Sequence, residues 1–266
     1  MHLLETDPTV DGFFGKLDGS QTGALILDYD GTLAPFSADR YAAFPYRGVS
    51  HALLRVMQDG RTRLAIVSGR PVTELVPLLG IFPVPEIWGL HGLQRLQPDG
   101  DCRTYPLSNT DLHILAEAGS WLEYQGLRHL AEFKTASIAV HWRGLPGEDA
   151  AVIAEKVHKG WSRLAASSRM AVEDFDGGVE IRPRFRNKAH AVLTIQAELE
   201  PGVPLAYLGD DRTDEDAFHA LKPCSEAMTI LVRPEWRETE AKAWLQPPGQ
   251  LLEFFDRWLD CCGGAQ

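Results

Sequence analysis

The chain has 266 residues, 44% of them hydrophobic and 24% charged, and its formal net charge is −11. That length suits one sizeable α/β domain, or a core domain with a smaller partner. No apolar run approaches the roughly eighteen residues that a membrane span requires, and the acidic balance speaks against sequence-independent nucleic-acid binding, which relies on a basic face. Neither a membrane nor a nucleic acid is therefore expected as a partner, and an anionic ligand would need a local positive pocket or a metal.

The first residues carry Glu5, Asp7 and Asp11, with no basic segment ahead of a long apolar one, so no secretory signal is read and a cytoplasmic protein is expected. Residues 24–27 form a short, continuous apolar run, as a buried parallel strand does. A helical pattern follows over 48–58, a second strand over 63–67, and a helix over 71–79 that opens on Pro71 after Ser-Gly-Arg. Residues 86–88 read as a third strand. The middle of the chain differs: a helix over 108–125, a long strand over 133–142, a helix over 147–166, and strands over 170–173 and 178–181 around a turn at 174–178. Residues 204–208 return to the buried-strand pattern, and a Pro-rich loop at 246–250 precedes a last helix over 251–259. Alternating strands and helices predict a doubly wound, Rossmann-like parallel sheet, interrupted by a smaller α/β insertion. The expected division is a core of residues 1–106 and 184–266 with a cap of residues 107–183. Cys102, Cys224, Cys261 and Cys262 show no metal-ligand spacing. The last two lie in a Gly-rich tail expected to fray, and no disulfide is expected.

The stretch LILDYDGTLAPF places Asp28 and Asp30 just past the first strand. In open α/β sheets the reactive groups gather beyond the carboxyl ends of the strands. Two carboxylates this close repel, a cost tolerated where a divalent cation or an arriving proton offsets it. The plainer reading is a strand-end turn with Thr32 as a helix cap. Three further strand ends favour chemistry. Ser68 follows the second strand, where its hydroxyl and the backbone N–H groups of Gly69 and Arg70 can hold a phosphate oxygen. Lys188 opens a helix and suits phosphate as a counter-charge. Asp210, Asp211 and Asp214 follow the last strong strand, and oxygen-only carboxylates without Cys or His suit a hard cation, Mg²⁺ above all.

Asp28-Tyr29-Asp30-Gly31-Thr32, Ser68, Lys188 and Gly209-Asp210-Asp211 together resemble the four motifs of the haloacid dehalogenase superfamily of phosphatases. The resemblance implies that Asp28 attacks phosphorus to form an aspartyl-phosphate, and that Asp30 acts as general acid and then base. It also implies a Mg²⁺ site made by Asp28, the carbonyl of Asp30, and Asp210 with Asp211 beside it. Asp214 would bind that metal through water or orient Lys188. Thr32 and Ser68 would donate to the transferring phosphoryl, and Lys188 would neutralise its charge.

Three more stretches, EIWGLHG at 86–92, KTASIAVHWR at 134–143 and GGVEIRPRFRNKAHAV at 177–192, closely resemble the trehalose-6-phosphate phosphatase family. That likeness implies that the cap clasps a disaccharide through Lys134, His141, Arg143, Glu180 and Arg182, with Asn187 beside the motif lysine and His91 approaching from the core. It further implies a small-molecule sugar phosphate as substrate, a separate trehalose-6-phosphate synthase as a conceivable partner, and a monomer. Strand alternation puts His141 and Arg143 on one face and Lys134 on the other unless a strand end intervenes, so the two groups are distinct expectations. Glu180 and Arg182 share a face and offer an acceptor and a forked donor to hydroxyls. An ion pair on a solvated face is the alternative. A glycerate-bearing sugar phosphate, read by Arg182, Arg184 and Arg186, is a rival substrate, and phosphoryl transfer to another sugar a rival reaction. A non-catalytic module has no physical need of Asp28, Asp30, Lys188 and Asp210 together. Closure of the cap is expected to hinge at residues 105–108 and 182–185.

Overall fold

The computed structural model describes residues 8–20, 22–37, 39–166 and 168–262; Glu5 and Asp7 lie outside them. The chain divides into two compact units, the larger holding residues up to Thr104, Lys188–Asp210 and those from Asp214 onward, the smaller Tyr105–Asn187 with Asp211–Thr213.

In the larger unit α1 (Pro8–Ser20) precedes β1 (Gly23–Leu27), α2 (Val49–Asp59), β2 (Thr62–Val67), α3 (Val72–Leu79), β3 (Glu86–Gly89), β4 (Gln94–Leu96) and β5 (Cys102–Thr104). The smaller unit then runs α4 (Asn109–Tyr124), β6 (Ala131–Phe133), β7 (Ile138–His141), α5 (Gly147–Ala165), β8 (Met170–Phe175) and β9 (Gly178–Pro183). The chain returns to the larger unit through α6 (Lys188–Ala197), β10 (Leu205–Gly209), α7 (Arg212–Leu221), β11 (Ala227–Val232), β12 (Ala243–Leu245) and α8 (Gly249–Cys262).

The larger sheet has the order β12-β11-β10-β1-β2-β3-β4-β5, parallel from β12 to β3 and antiparallel thereafter. Every residue of β1 is buried because the sheet is covered on both sides. Leu25 and Leu27 join a core with Phe13, Phe14, Phe254 and Trp258, whereas Ala24 and Ile26 join a second core with Trp88, Val192, Tyr207 and Phe218. The doubly wound sheet expected from the sequence is thus present, with more strands than the four read. β11 is apolar but for Thr229 and buried throughout, while β12 is too short for its pattern to signal a strand. Cys261 and Cys262 close α8, and Cys262 is buried in the first core, so this pair belongs to a helix where fraying was expected. Among the described residues no helix is long and apolar enough to cross a membrane.

The smaller sheet is antiparallel, in the order β6-β7-β9-β8. Ile138, Val140, Val179 and Ile181 pack with Val157, Trp161 and Leu122 from the two helices, leaving Ala139, Glu180 and Glu132 in register on the opposite face. Ser108 caps α4, accepting from Asp111 N while Asp111 returns a bond to Ser108 N. The expected long strand over 133–142 is instead two strands joined by a turn at 134–137, closed by the bond from Lys134 N to Ser137 O at 2.9 Å. Arg143 consequently lies past the end of β7.

At the amino ends of β2 and β3 the larger unit is tied by four charges. Glu86 is buried and accepts from Arg63, Arg95 and Trp88 Nε1. Glu198 accepts from Arg63 at 2.6 Å and Arg95 at 2.7 Å. Arg95, chiefly, and Arg63 pull the Glu198 carboxyl down to about 2. A carboxyl lowered by folding stabilises fully above its ordinary value near 4.5 and loses that contribution as pH falls toward 2. Glu198→Gln should therefore melt below wild type at pH 7, with the gap closing as thermal melts are repeated from pH 5 down to pH 3.

Candidate active site

β1 ends at Leu27 and delivers Asp28 at the carboxyl edge of the larger sheet, 3% exposed. The next residues reverse direction at once: Leu33 N and Ala34 N both bond Tyr29 O, and Gly31 N bonds Ala34 O. Gly31 turns at φ +84°, and a Cβ there would lie 2.0 Å from Asp210 Oδ2, so only glycine admits the Asp210 carboxylate this close. Thr32 is fully buried, and its hydroxyl has no hydrogen-bond partner among the described residues. A helix-cap role for Thr32 does not apply, since no helix begins there.

Lys188, the first residue of α6, sends its ammonium to Asp28 Oδ1 and Asp214 Oδ1, each at 2.7 Å. Asp214 Oδ1 also accepts from the Tyr207 hydroxyl, while Oδ2 accepts from Asp210 N at 3.1 Å. Asp214 is thereby an orienting group for Lys188 as well as a neighbour of the other two carboxylates. Burial pulls the Lys188 ammonium down, but Asp214 and Asp28 more than reverse that and hold it charged. Burial pushes the Asp28 carboxyl up to about 7 despite the pull of Lys188, with Asp214 and Asp30 adding to the push.

Asp28, Asp210 and Asp214, all buried, each offer a carboxylate oxygen within 4.8 Å of the others. The Lys188 ammonium bonds two of the three carboxylates, and an all-oxygen donor set of this kind suits a hard divalent cation. Asp211, expected beside Asp210, stands outside that cluster: its carboxylate accepts from Arg212 N at 2.6 Å, at the start of α7. Asp30 likewise is not in that cluster; its carboxylate makes a two-point ion pair with Arg70.

Ser68 follows β2, is 1% exposed, and accepts from Arg70 N at 3.1 Å. His91 comes to the same turn from β3. Leu90 and His91 both adopt left-handed backbone, at φ 50° and 54°, which costs about 1–2 kcal/mol per non-glycine residue. Bonds from Leu90 N to Arg70 O and from His91 N to Ser68 O hold them there. The imidazole lies over Gly69, where a Cβ would come within 2.6 Å of Nε2. Gly69 and His91 therefore occupy one close contact beside Ser68.

In the smaller unit Glu180, buried on β9, accepts from Lys134 Nζ at 2.8 Å and Ser137 Oγ at 2.6 Å. Lys134 reaches it because the turn at 134–137 frees its side chain from strand alternation. His141 Nε2 meets Glu132 at 2.9 Å and packs edge-on to Phe175. Arg182 is buried and donates to Arg186 O at 3.2 Å. Arg143 is exposed and donates to Asp176 O, so it does not share the strand face with His141 as expected. Asn187 is half-buried, one residue before Lys188.

Sequence reasoning passed over Tyr207, Glu132, Ser137 and a pair of arginines, Arg233 and Arg237, whose guanidinium groups converge on Asp210 O at 3.3 Å. Tyr207 carried a signal: a tyrosine amid an apolar strand must find a partner for its hydroxyl. The arginines sit on a loop without pattern.

A model of the trehalose-phosphatase family matches residues 26–246. The trehalose-phosphate phosphatase of Mycobacterium tuberculosis is 30% identical over 261 residues, covering 91% of this chain and 63% of that protein. Trehalose-phosphate phosphatase B of Arabidopsis thaliana is 28% identical, covering 95% of this chain and 71% of the relative. The chain thus spans less than two thirds of the mycobacterial relative. In fold, it is similar to the C-terminal domain of Candida albicans trehalose-6-phosphate phosphatase, with a TM-score of 0.80 at 22% identity over 95% of this chain and 96% of that one.

Tyr207→Phe removes one oxygen and leaves Asp214, a buried carboxylate, short of a donor. It should destabilise the protein by roughly 1.5–3 kcal/mol in urea unfolding at pH 7.

Proposed function

The chain belongs to the trehalose-phosphatase family, and on that premise we propose that it hydrolyses trehalose 6-phosphate to trehalose and phosphate. The observation that carries the reading is the Lys188 ammonium bonded at 2.7 Å to Asp28, a buried carboxylate at a strand end with Asp30 two residues on. In this reading Asp28 Oδ attacks phosphorus as the bond from phosphorus to the sugar oxygen breaks, and Asp30 gives its proton to that oxygen. Water then attacks the aspartyl-phosphate, Asp30 takes the water's proton, and the bond from phosphorus to Asp28 breaks. The products are the free sugar and inorganic phosphate, and both carboxyl groups return to their starting forms. Thr32 donates its hydroxyl to the phosphoryl oxygens, Ser68 and the amide of Gly69 support them, and Lys188 balances their charge while keeping Asp28 aimed; the Arg70 amide is already on Ser68 Oγ. Asp28, Asp210 and the carbonyl of Asp30 would hold Mg²⁺, with Asp214 adjoining; when bound, the ion supplies positive charge to phosphoryl oxygens and to the crowded carboxylates.

The smaller unit serves in this proposal as the cap that selects the sugar, within the boundaries of residues 107–183. Glu180, pinned by Lys134 and Ser137, presents a fixed acceptor, and the His141–Glu132 pair a second polar group on the same sheet face. A carboxylate-bearing substrate is less well supported: Arg184 donates to Met170 O, and Arg186 stacks over the Tyr105 ring at 3.7 Å. We further take the protein to act in the cytoplasm, as a monomer on a small-molecule substrate.

Phosphate release tests this directly. With Mg²⁺, trehalose 6-phosphate should be cleaved at least about a hundred-fold faster than glucose 6-phosphate, sucrose 6-phosphate or glucosyl-3-phosphoglycerate, the scale on which a site built for hydroxyls discriminates. Asp28→Asn should release nothing. Equal, slow cleavage of all four esters would sink the sugar assignment while leaving the chemistry. For the metal, adding Mg²⁺ should raise the melting temperature of the wild type and leave that of Asp210→Asn unmoved, an effect read without turnover.

A further inference from the structure

Arg70 reads from sequence as a phosphate or substrate ligand, yet its guanidinium is committed elsewhere. Nε donates to Asp30 Oδ2 and Nη2 to Asp30 Oδ1, both at 2.6 Å, a two-point fork that fixes the plane of the carboxylate as well as its distance. Nη1 donates to Arg40 O at 2.6 Å, Glu74 lies 4.0 Å away, and the guanidinium carbon sits 5.8 Å from the centre of the Tyr29 ring. The backbone of Arg70 is held as firmly, its N–H on Ser68 Oγ and its carbonyl accepting from Leu90 N. The Arg70 side chain is 9% exposed, while that of Asp30 is 30% exposed. A carboxylate so open to water on a strand-end turn has several rotamers available, and the rigid partner selects one.

We propose that Arg70 is a positioning residue that orients the Asp30 carboxyl group for its proton transfers and does not bind the substrate. This rests on the hydrolytic reading of Asp30 given above. Three of the five guanidinium N–H groups are already used at 2.6 Å, and the Nε–Nη2 edge, the side-on fork, is occupied by Asp30 and is not offered to a phosphoryl oxygen. Each Asp30 oxygen keeps a second lone pair, so the fork leaves room for the proton that passes to the sugar oxygen and later comes from water. Arg70 itself gives up no proton in either half of the reaction.

The experiment compares wild type, Arg70→Gln and Arg70→Lys on trehalose 6-phosphate and on p-nitrophenyl phosphate, with kcat and KM measured separately. An alkoxide needs the proton of Asp30 to leave, whereas p-nitrophenolate does not. For kcat/KM, which ends at cleavage of the ester bond, Arg70→Gln should lose about a hundred-fold on the sugar ester. It should lose less than about five-fold on the aryl ester, with KM for the sugar ester held within about three-fold. Arg70→Lys keeps the charge but cannot make the fork. It should fall short of wild type on the sugar ester in the same selective way, and it carries the test if the glutamine variant does not fold. Equal losses on both esters would assign Arg70 to the phosphoryl group, a raised KM with kcat kept would assign it to the sugar, and no change would leave it no role; each overturns the proposal. If the wild type cleaves neither ester, the hydrolytic reading fails first and takes this proposal with it.

Discussion

A lysine ammonium buried between two aspartates organises the larger unit. Lys188 meets Asp28 across 160 residues of chain and Asp214 across 26, and all three are at most 3% exposed. Charges taken out of water this far are tolerated only with good geometry and complete hydrogen bonding, and removing one partner strands the other. The contact therefore requires β1, α6 and the start of α7 to arrive together at one edge of the sheet. Tyr207 and the amide of Asp210 also donate to Asp214. The core beneath answers to the same requirement, since Tyr207 is at once a packing residue of the second core and a donor to the site.

Strain is concentrated beside this contact. Gly31 tolerates a positive φ and the approach of Asp210, and Leu90 and His91 adopt left-handed backbone without glycine's freedom. Such conformations persist where surrounding bonds over-determine them, here the amides of Leu90 and His91 on the Ser68–Arg70 turn. The bidentate Arg70–Asp30 pair extends that rigidity to the second aspartate. In the reaction proposed above, electrostatic catalysis gains most from groups already in place before the charge develops, as on a turn anchored from three strands.

The smaller unit solves a simpler problem. Its antiparallel sheet buries one face against two helices and leaves the other polar, the usual division for such a sheet. The polar face is nonetheless ordered: Glu180 has two donors from a neighbouring hairpin turn, and His141 has Glu132. Fixed acceptors and donors of this kind match hydroxyl-rich ligands better than mobile surface charges do.

Much of this was legible in the residues. The buried parallel strands follow from local apolar runs, and the carboxylates, serine and lysine can be placed at their ends, because burial on both faces and the carboxyl edge of a parallel sheet leave short-range marks. The trehalose-phosphatase family was likewise legible in motifs that a family model matches over residues 26–246. What local pattern cannot carry is which polar groups meet. Apolar alternation reads residues 133–142 as one strand because the turn at 134–137 holds no strong breaker, and only the tertiary structure puts Lys134 on Glu180. Arg70, Arg233 and Arg237 meet partners 23 to 40 residues away, Asp30 and Asp210, and Tyr207 meets Asp214 across a strand end and the start of a helix. The sequence by itself determined the parallel sheet and the chemical types of the groups at its carboxyl edge; the pairing of those groups was decided by tertiary structure, since directional bonds between residues apart in the chain depend on distances that no periodicity encodes.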